Sequence, residues 1–244
     1  MFTAIRADLA AILSRDPAAR SAFSAVFLYP SFHVMCFYRI AHRLWRWRLT
    51  FIARFLMQFA RWFTGIEIHP GARIGPGFFA DHGMGVVIGE TSVIGENVTL
   101  YHGVTLGGTS PAENAQSQRG TKRHPTIGDC VIIGAGAQVL GPVTVHRCAR
   151  VGGNSVVTRD VPEGVTVAGV PARPISKRLS GEEFDAYAVA HMGGRDPQDK
   201  AMEGLAREVQ QLRSRLAELE AQAGEDAALG METAKTTSPA SRAK

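Results

Sequence analysis

The sequence predicts an α+β chain: a helical N-terminal segment, a solenoid of short parallel strands, then a coiled-coil helix with a disordered tail. Three observations carry this. Aliphatic residues recur every six positions through the middle of the chain, at helical spacing before it, and at alternating steps of three and four after it.

Residues 4–63 are rich in Ala, Leu, Phe, Arg and Trp, and Phe37, Ile40, Leu44 and Trp47 fall at helical spacing. Asp16-Pro17 offers an N-cap followed by proline at the first helical position. These features predict an α-helical domain over 1–65. The solenoid follows over 66–177. Its first register is Ile68, Ile74 and Ala80, then, after a two-residue slip, Ile88, Ile94, Leu100 and Leu106, and then Ile127, Ile133, Val139, Val145, Val151 and Val157. Four positions after most of these stands a second small or apolar residue: Ala72, Ser92, Val98, Val104, Val131, Ala137, Val143, Ala149, Ser155 and Val161. Two inward positions per six residues describe one short strand and one turn, and three such units close a triangular coil whose strands stack in parallel on the next. Glycines such as Gly75, Gly89, Gly95 and Gly128 suit corners where φ turns positive or backbones come close. Beyond it, 178–222 reads as linker and coiled coil, with Met202, Leu205, Val209, Leu212, Leu216 and Leu219 as its seam. Residues 223–244 lack periodicity and read as a disordered tail.

Composition excludes several classes. Three widely spaced cysteines, Cys36, Cys130 and Cys148, make neither a disulfide framework nor a zinc ribbon, and fit a reducing cytoplasm. The N-terminus lacks the layout of a signal peptide, and no stretch is apolar over the roughly 18 residues a spanning helix needs. The net charge of +5 is uneven: no Asp or Glu lies between Asp16 and Glu67, whereas seven arginines do. For the basic, aromatic stretch 39–62 the favoured reading is a helical face that packs Trp45, Trp47 and Trp62 on a partner subunit. Membrane-surface and nucleic-acid binding compete less well, since no recognition motif accompanies the charge.

Two breaks in the repeat mark candidate chemistry. The slip bulges the chain at Asp81-His82-Gly83, and between Leu106 and Ile127 lie fifteen residues more than one hexad allows, ending in Arg123-His124-Pro125. A long loop on a regular solenoid is usually functional.

The aliphatic-Gly-x-x-small-x hexad resembles that of the hexapeptide acyltransferases, and the resemblance, not the period, implies a left-handed coil against the usual right-handed crossover rule. The match narrows at Glu67-Ile-His-Pro-Gly-Ala-Arg-Ile-Gly75, Asp81-His82-Gly-Met-Gly-Val-Val-Ile-Gly-Glu90-Thr91, Gly103-Val-Thr-Leu-Gly-Gly-Thr109, Arg123-His124-Pro125 and Ala168-Gly-Val-Pro-Ala-Arg173. With Ser14-Arg15-Asp16-Pro17-Ala18, these resemble the serine acetyltransferases over residues 12 to 176.

That resemblance implies transfer of the acetyl group of acetyl-CoA to the hydroxyl of L-serine, the first step of cysteine biosynthesis, with no metal. It implies His82 as general base, because a histidine titrates near neutral pH, and Glu67, where Asp is familiar in the family, as the carboxylate that orients it. It implies Asp16 and Asp81 for the serine ammonium, and Arg123 and His124 for its carboxylate, with His124 also stabilising charge in the transition state. It places Gly108, Thr109, Ala135, Arg150, Gly153 and Arg173 along the acetyl-CoA groove. No cysteine has a catalytic setting, so direct transfer in a ternary complex is expected rather than an acyl-enzyme.

The resemblance further implies a homotrimer, its helical domains pairing trimers into hexamers, and makes L-cysteine a candidate feedback inhibitor. The chain ends Ser-Arg-Ala-Lys244 where many members end in isoleucine, so no stable complex with O-acetylserine sulfhydrylase is expected. Three readings compete: an acetyltransferase acting on a sugar, a non-enzymatic assembly protein, and a γ-carbonic-anhydrase-like zinc enzyme using His82, His102 and His124.

Overall fold

The computed structural model describes residues 2–109, 116–176, 202 and 204–216. Four helices come first: α1 (Phe2–Arg15), α2 (Ala22–Leu28), α3 (Pro30–Arg46) and α4 (Thr50–Thr64). The Ser21 hydroxyl caps α2 by accepting the Ser24 amide at 3.1 Å, Pro30 opens α3, and Gly65 ends α4 in the left-handed region at φ +71°. The predicted helix start at Asp16-Pro17 is corrected. Asp16 closes α1 instead, and its carboxylate accepts the Ala18 amide at 2.7 Å in an Asx turn, the alternative that a short acidic side chain before proline offers the backbone.

Five coils follow. The first is β1 (Glu67–Ile68), β2 (Arg73–Ile74) and β3 (Phe79–Asp81); the second is β4 (Val87–Ile88), β5 (Val93–Ile94) and β6 (Thr99–Tyr101). The third is β7 (Thr105–Gly107), β8 (Thr126–Ile127) and β9 (Ile132–Ile133), and the long loop leaves it between β7 and β8. The fourth is β10 (Gln138–Leu140), β11 (Thr144–Val145) and β12 (Arg150–Val151). The fifth has β13 (Val156–Val157) and β14 (Thr166–Ala168), and β15 (Arg173–Ser176) folds back antiparallel on β14. Strands stack in parallel into three faces: β1-β4-β7-β10-β13 is the first, β2-β5-β8-β11 the second, and β3-β6-β9-β12-β14 the third.

Every residue of the predicted first register lies in one buried core, and so does the second register apart from partly buried Val143 and the small polar Ser92 and Ser155, which are buried too. Of the two roles offered for the glycines, close approach is the one seen at Gly75 and Gly128. A β-carbon at Gly75 would stand 2.5 Å from the Gly95 carbonyl oxygen, and one at Gly128 2.7 Å from the Arg147 amide. Several positive-φ corners are held by Asn97, Cys130, Cys148 and Asn154 instead. The coil also tightens at its end: Val161 bridges directly to Val145, so it fills a strand position on the second face rather than a second-register one.

Side chains of the helices pair with the open edge of the first coil. Asp8 accepts the Gly77 and Phe78 amides at 2.9 and 3.1 Å, and Ser31 accepts the Ala80 amide at 2.9 Å. Tyr38 donates to the Ala72 carbonyl and accepts the Ile74 amide, while Arg39 donates to the carbonyls of Ile74 and Gly75. Asp8, 1% exposed, is bound by Arg39 at 3.1 Å. Burial is the largest influence on its carboxyl and raises its pKa, with Arg39 pulling the other way.

The outer side of α4 is apolar. Phe51, Phe55 and Trp62 are 81%, 69% and 80% exposed, and Phe59 and Phe63 lie beside them. No helix among the described residues is long and apolar enough to cross a membrane.

The chain divides into two compact units, Met1–Val189 and Ala190–Lys244. In the second, residues 204–216 form a helix, and Leu205, Val209, Leu212 and Leu216 of the predicted seam are exposed along it. Leu219 and the predicted tail over 223–244 lie outside the described residues, as do the boundaries at 177/178 and 222/223.

Candidate active site

The predicted polar residues gather at two corners of the triangular coil, on either side of the first face. At the corner between the third and first faces, β3 delivers Asp81 and the slipped turn delivers His82. The slip places His82 at φ +57°, ahead of Gly83 and Gly85, which are also positive. That conformation pushes the imidazole outward, where it is 74% exposed. Its Nε2 stands 3.8 Å from Asp81 Oδ1, and the His102 ring of the next coil lies edge-on at 6.1 Å between centroids.

Asp16 comes to the same corner from the end of α1, and its Oδ2 accepts the Tyr29 hydroxyl at 2.5 Å. That hydrogen bond, with burial and the charges of Asp16 and Asp81, pushes the Tyr29 phenol up to about 12. Asp81 is raised too, first by burial, with the Asp16 charge adding to it and His82 and His102 opposing. The two carboxylates of Asp16 and Asp81 thus stand close together beside an exposed histidine, an arrangement of negative charge that suits a cationic group.

Glu67 lies on the first strand of the first face, and its carboxylate is 3.2 Å from Arg61 Nε at the end of α4. Among the described residues the carboxylate within ion-pairing distance of His82 is Asp81.

The second corner, between the first and second faces, receives the end of the long loop. Arg123 Nη2 donates to Glu90 Oε2 at 2.6 Å, and Nη1 donates to the Gln118 carbonyl at 3.3 Å. Burial works to raise the Glu90 carboxyl, but Arg123 and the neighbouring His69 hold it below its ordinary value. His124 is nearly buried and packs over Gly89, where a β-carbon would meet the ring at 2.0 Å. Its Nδ1 accepts the Thr91 amide at 3.1 Å. Burial, then the Arg123 charge, bring its pKa down to about 4.

The imidazole of His124 is therefore neutral across the physiological range. Its pKa is depressed below the unfolded value of about 6.5, so the stability it contributes is complete above that pH and is lost as pH falls through about 4. We expect Gly89→Ala to drive the ring from its seat, so that His124 titrates close to 6.5; an NMR titration of the histidine ring protons checks this, and an unshifted titration would refute the packing role of Gly89.

The remaining predicted residues divide between the same corners and the third face. Gly108 and Thr109 lie at the second corner, where a β-carbon on Gly108 would be 3.3 Å from the Arg123 carbonyl oxygen and one on Gly141 would be 3.1 Å from Thr109. Ala135 and Gly153 lie in turns at the first corner, between β9 and β10 and between β12 and β13, where the Asn154 amide donates to the Ala135 carbonyl at 2.7 Å. Arg150 and Arg173 stand on β12 and β15 of the third face. His82 and His102 share one corner on successive coils, edge to face, but His124 sits at the other corner of the same chain. Among the described residues no group of three or more His, Cys, Asp or Glu is placed to hold a metal.

Tyr29, Glu90 and Thr91 have no role in the sequence reading. Glu90 and Thr91 are visible as polar residues in the Gly89-Glu90-Thr91 turn, but their partners lie 32 or 33 residues away across the loop. Tyr29 reaches Asp16 only because α2 folds back, and nothing in its local sequence signals that.

Residues 124–159 match the bacterial transferase hexapeptide (six repeats) family. A serine acetyltransferase of Helicobacter pylori is 53% identical over 170 residues, 70% of this chain and 95% of the relative. The crystal structure of Neisseria gonorrhoeae serine acetyltransferase in complex with serine aligns at 42% identity and a TM-score of 0.66, over 71% of this chain and 68% of that one. The serine acetyltransferase of Brucella abortus in complex with coenzyme A aligns at 39% identity and a TM-score of 0.68, over 74% and 69%.

Proposed function

The chain belongs to the serine acetyltransferase family, and we propose on that premise that it transfers the acetyl group of acetyl-CoA to the hydroxyl of L-serine, releasing O-acetyl-L-serine and CoA. Its solenoid is the left-handed β-helix of hexapeptide-repeat transferases. The observation that carries the reading is the division of charge: two acids beside an exposed histidine at one corner, an arginine and a neutral histidine at the other. Serine needs both, an anionic socket for its ammonium and a cationic one for its carboxylate.

In this reading Asp16 and Asp81 hold the ammonium, Arg123 and His124 hold the carboxylate, and His82 takes the hydroxyl proton as the oxygen attacks the thioester carbon. The carbon–sulfur bond then breaks, and the imidazolium returns its proton to the departing thiolate. Gly108, Thr109, Ala135, Arg150, Gly153 and Arg173 line the acetyl-CoA groove. Much of the rate comes from holding both substrates together, and no residue of the chain is acylated.

The two corners are separated by a whole face of the coil, so one chain does not bring Arg123 to His82. A homotrimer does, by setting the second corner of one chain against the first corner of its neighbour. The exposed aromatic side of α4 suits a contact that pairs such trimers. L-cysteine, which carries the same ammonium and carboxylate, competes for the same four side chains as a feedback inhibitor. Three free cysteines fit a cytoplasmic setting.

Release of CoA thiol from acetyl-CoA with L-serine tests the reading. Turnover is expected with serine and not with sugar acceptors; the reverse result would overturn it.

A further inference from the structure

Thr91 makes more contacts with the Arg123-His124 segment than any role assigned so far requires. Its hydroxyl oxygen accepts the backbone amides of Arg123 at 3.0 Å and His124 at 3.1 Å. The same hydroxyl lies 2.9 Å from His124 Nδ1, and the Thr91 amide donates to that nitrogen at 3.1 Å. A hydroxyl has two lone pairs and one proton. Both lone pairs are taken by the amides, so the proton is left for Nδ1. Nδ1 thus faces two donors with its single lone pair and cannot carry hydrogen, and the ring proton must sit on Nε2.

We propose that Thr91 is a positioning residue that locks His124 in the neutral Nε2–H form, so that His124 acts as a fixed hydrogen-bond donor to the anionic end of the substrate rather than as a second base. The proposal rests on the serine acetyltransferase reading for the identity of that anion, but not for the tautomer.

The surroundings agree. Protonating Nδ1 would set a third donor against the Thr91 amide and hydroxyl, with no acceptor free. The charged groups facing the ring are Arg123 and Lys122 from its own segment, and Glu90 and His69 from the neighbouring coils. Glu90 alone would favour an imidazolium, and it is already engaged by Arg123 at 2.6 Å. Lys122 is tied to the carbonyls of Thr91 and Pro125, which fixes the same turn from its other side. Ring Nε2 has no partner within the chain among the described residues, so its proton remains for a ligand.

The test is nitrogen NMR of the full-length protein carrying labelled histidine, with His124 assigned by its disappearance in His124→Asn. In the wild type, Nδ1 is expected unprotonated and Nε2 protonated from about pH 5 to 8. Thr91→Val is expected to give a mixture of tautomers and a titration closer to 6.5, and to raise the KM for serine about tenfold or more with kcat changed far less. Thr91→Ser, which keeps the hydroxyl, is expected to restore both. A wild-type His124 protonated on Nδ1 overturns the proposal even if Thr91→Val fails to fold. So does a Thr91→Val protein whose tautomer or serine KM matches wild type. The tautomer is read without substrate, so failure of serine to react would refute the acceptor assignment and leave this result standing.

Discussion

Replacing His82 is expected to lower kcat for serine acetylation by about 10²- to 10⁴-fold, the range a positioned general base supplies. Serine's hydroxyl is a weak nucleophile at neutral pH, and His82 is exposed beside Asp81 at the acidic corner, with His102, also exposed, on the next coil. Backbone conformation complicates the choice of variant, because His82 sits at φ +57°, where alanine is strained by about 1–2 kcal/mol. His82→Asn avoids this, since asparagine tolerates the left-handed region and offers no base in this pH range. Both variants should lose turnover while His82→Asn keeps the wild-type melting temperature. If His82→Asn retained turnover within a few-fold of wild type, His82 would not be the base.

The second large effect concerns Glu67, the carboxylate proposed to orient His82. Glu67→Gln is expected to lower kcat by on the order of 10²-fold or more and to leave the KM for serine nearly unchanged, since an orienting carboxylate acts on the tautomer and on the imidazolium formed during transfer. In the free chain Glu67 is paired with Arg61, and both side chains are about half exposed, at 46% and 52%. Exposed pairs are worth only about 0–1 kcal/mol, so exchanging Arg61 for His82 once substrate is bound costs little. Steady-state kinetics of Glu67→Gln beside Asp81→Asn decide between the two acids. Unchanged turnover in Glu67→Gln would give the orienting role to Asp81, the acid already 3.8 Å from the ring.

Much of this was legible in the sequence for a simple physical reason. A six-residue repeat ties every inward position to a fixed offset, so once Ile68 and Ile74 are in register the core residues of later coils can be named in advance. The slip at His82 and the long loop before Arg123 stood out against that regularity. Helical spacing told less. Asp16-Pro17 read as a helix start because an acid before proline serves equally well to stop one, and only the Asx turn separates the two outcomes. Thr91 and Tyr29 were invisible because their partners are fixed by coil stacking and by the return of α2, not by neighbours in the chain. The tightening at Val161 escaped for a related reason: a slip leaves the same residue types in place and changes only what they face.

The pairing between the helices and the first coil has a consequence for how the chain could fail. A bare solenoid end is a row of unpaired amides and carbonyls, a template on which another chain can stack as an added strand. Here Asp8, Ser31, Tyr38 and Arg39 occupy that row at one end, and β15 runs antiparallel across the last strand at the other. The helical segment is therefore a stopper against fibre growth, and residue 65 is a poor place to cut. A chain trimmed to its repeats would keep every inward aliphatic residue and still be prone to add copies of itself end to end.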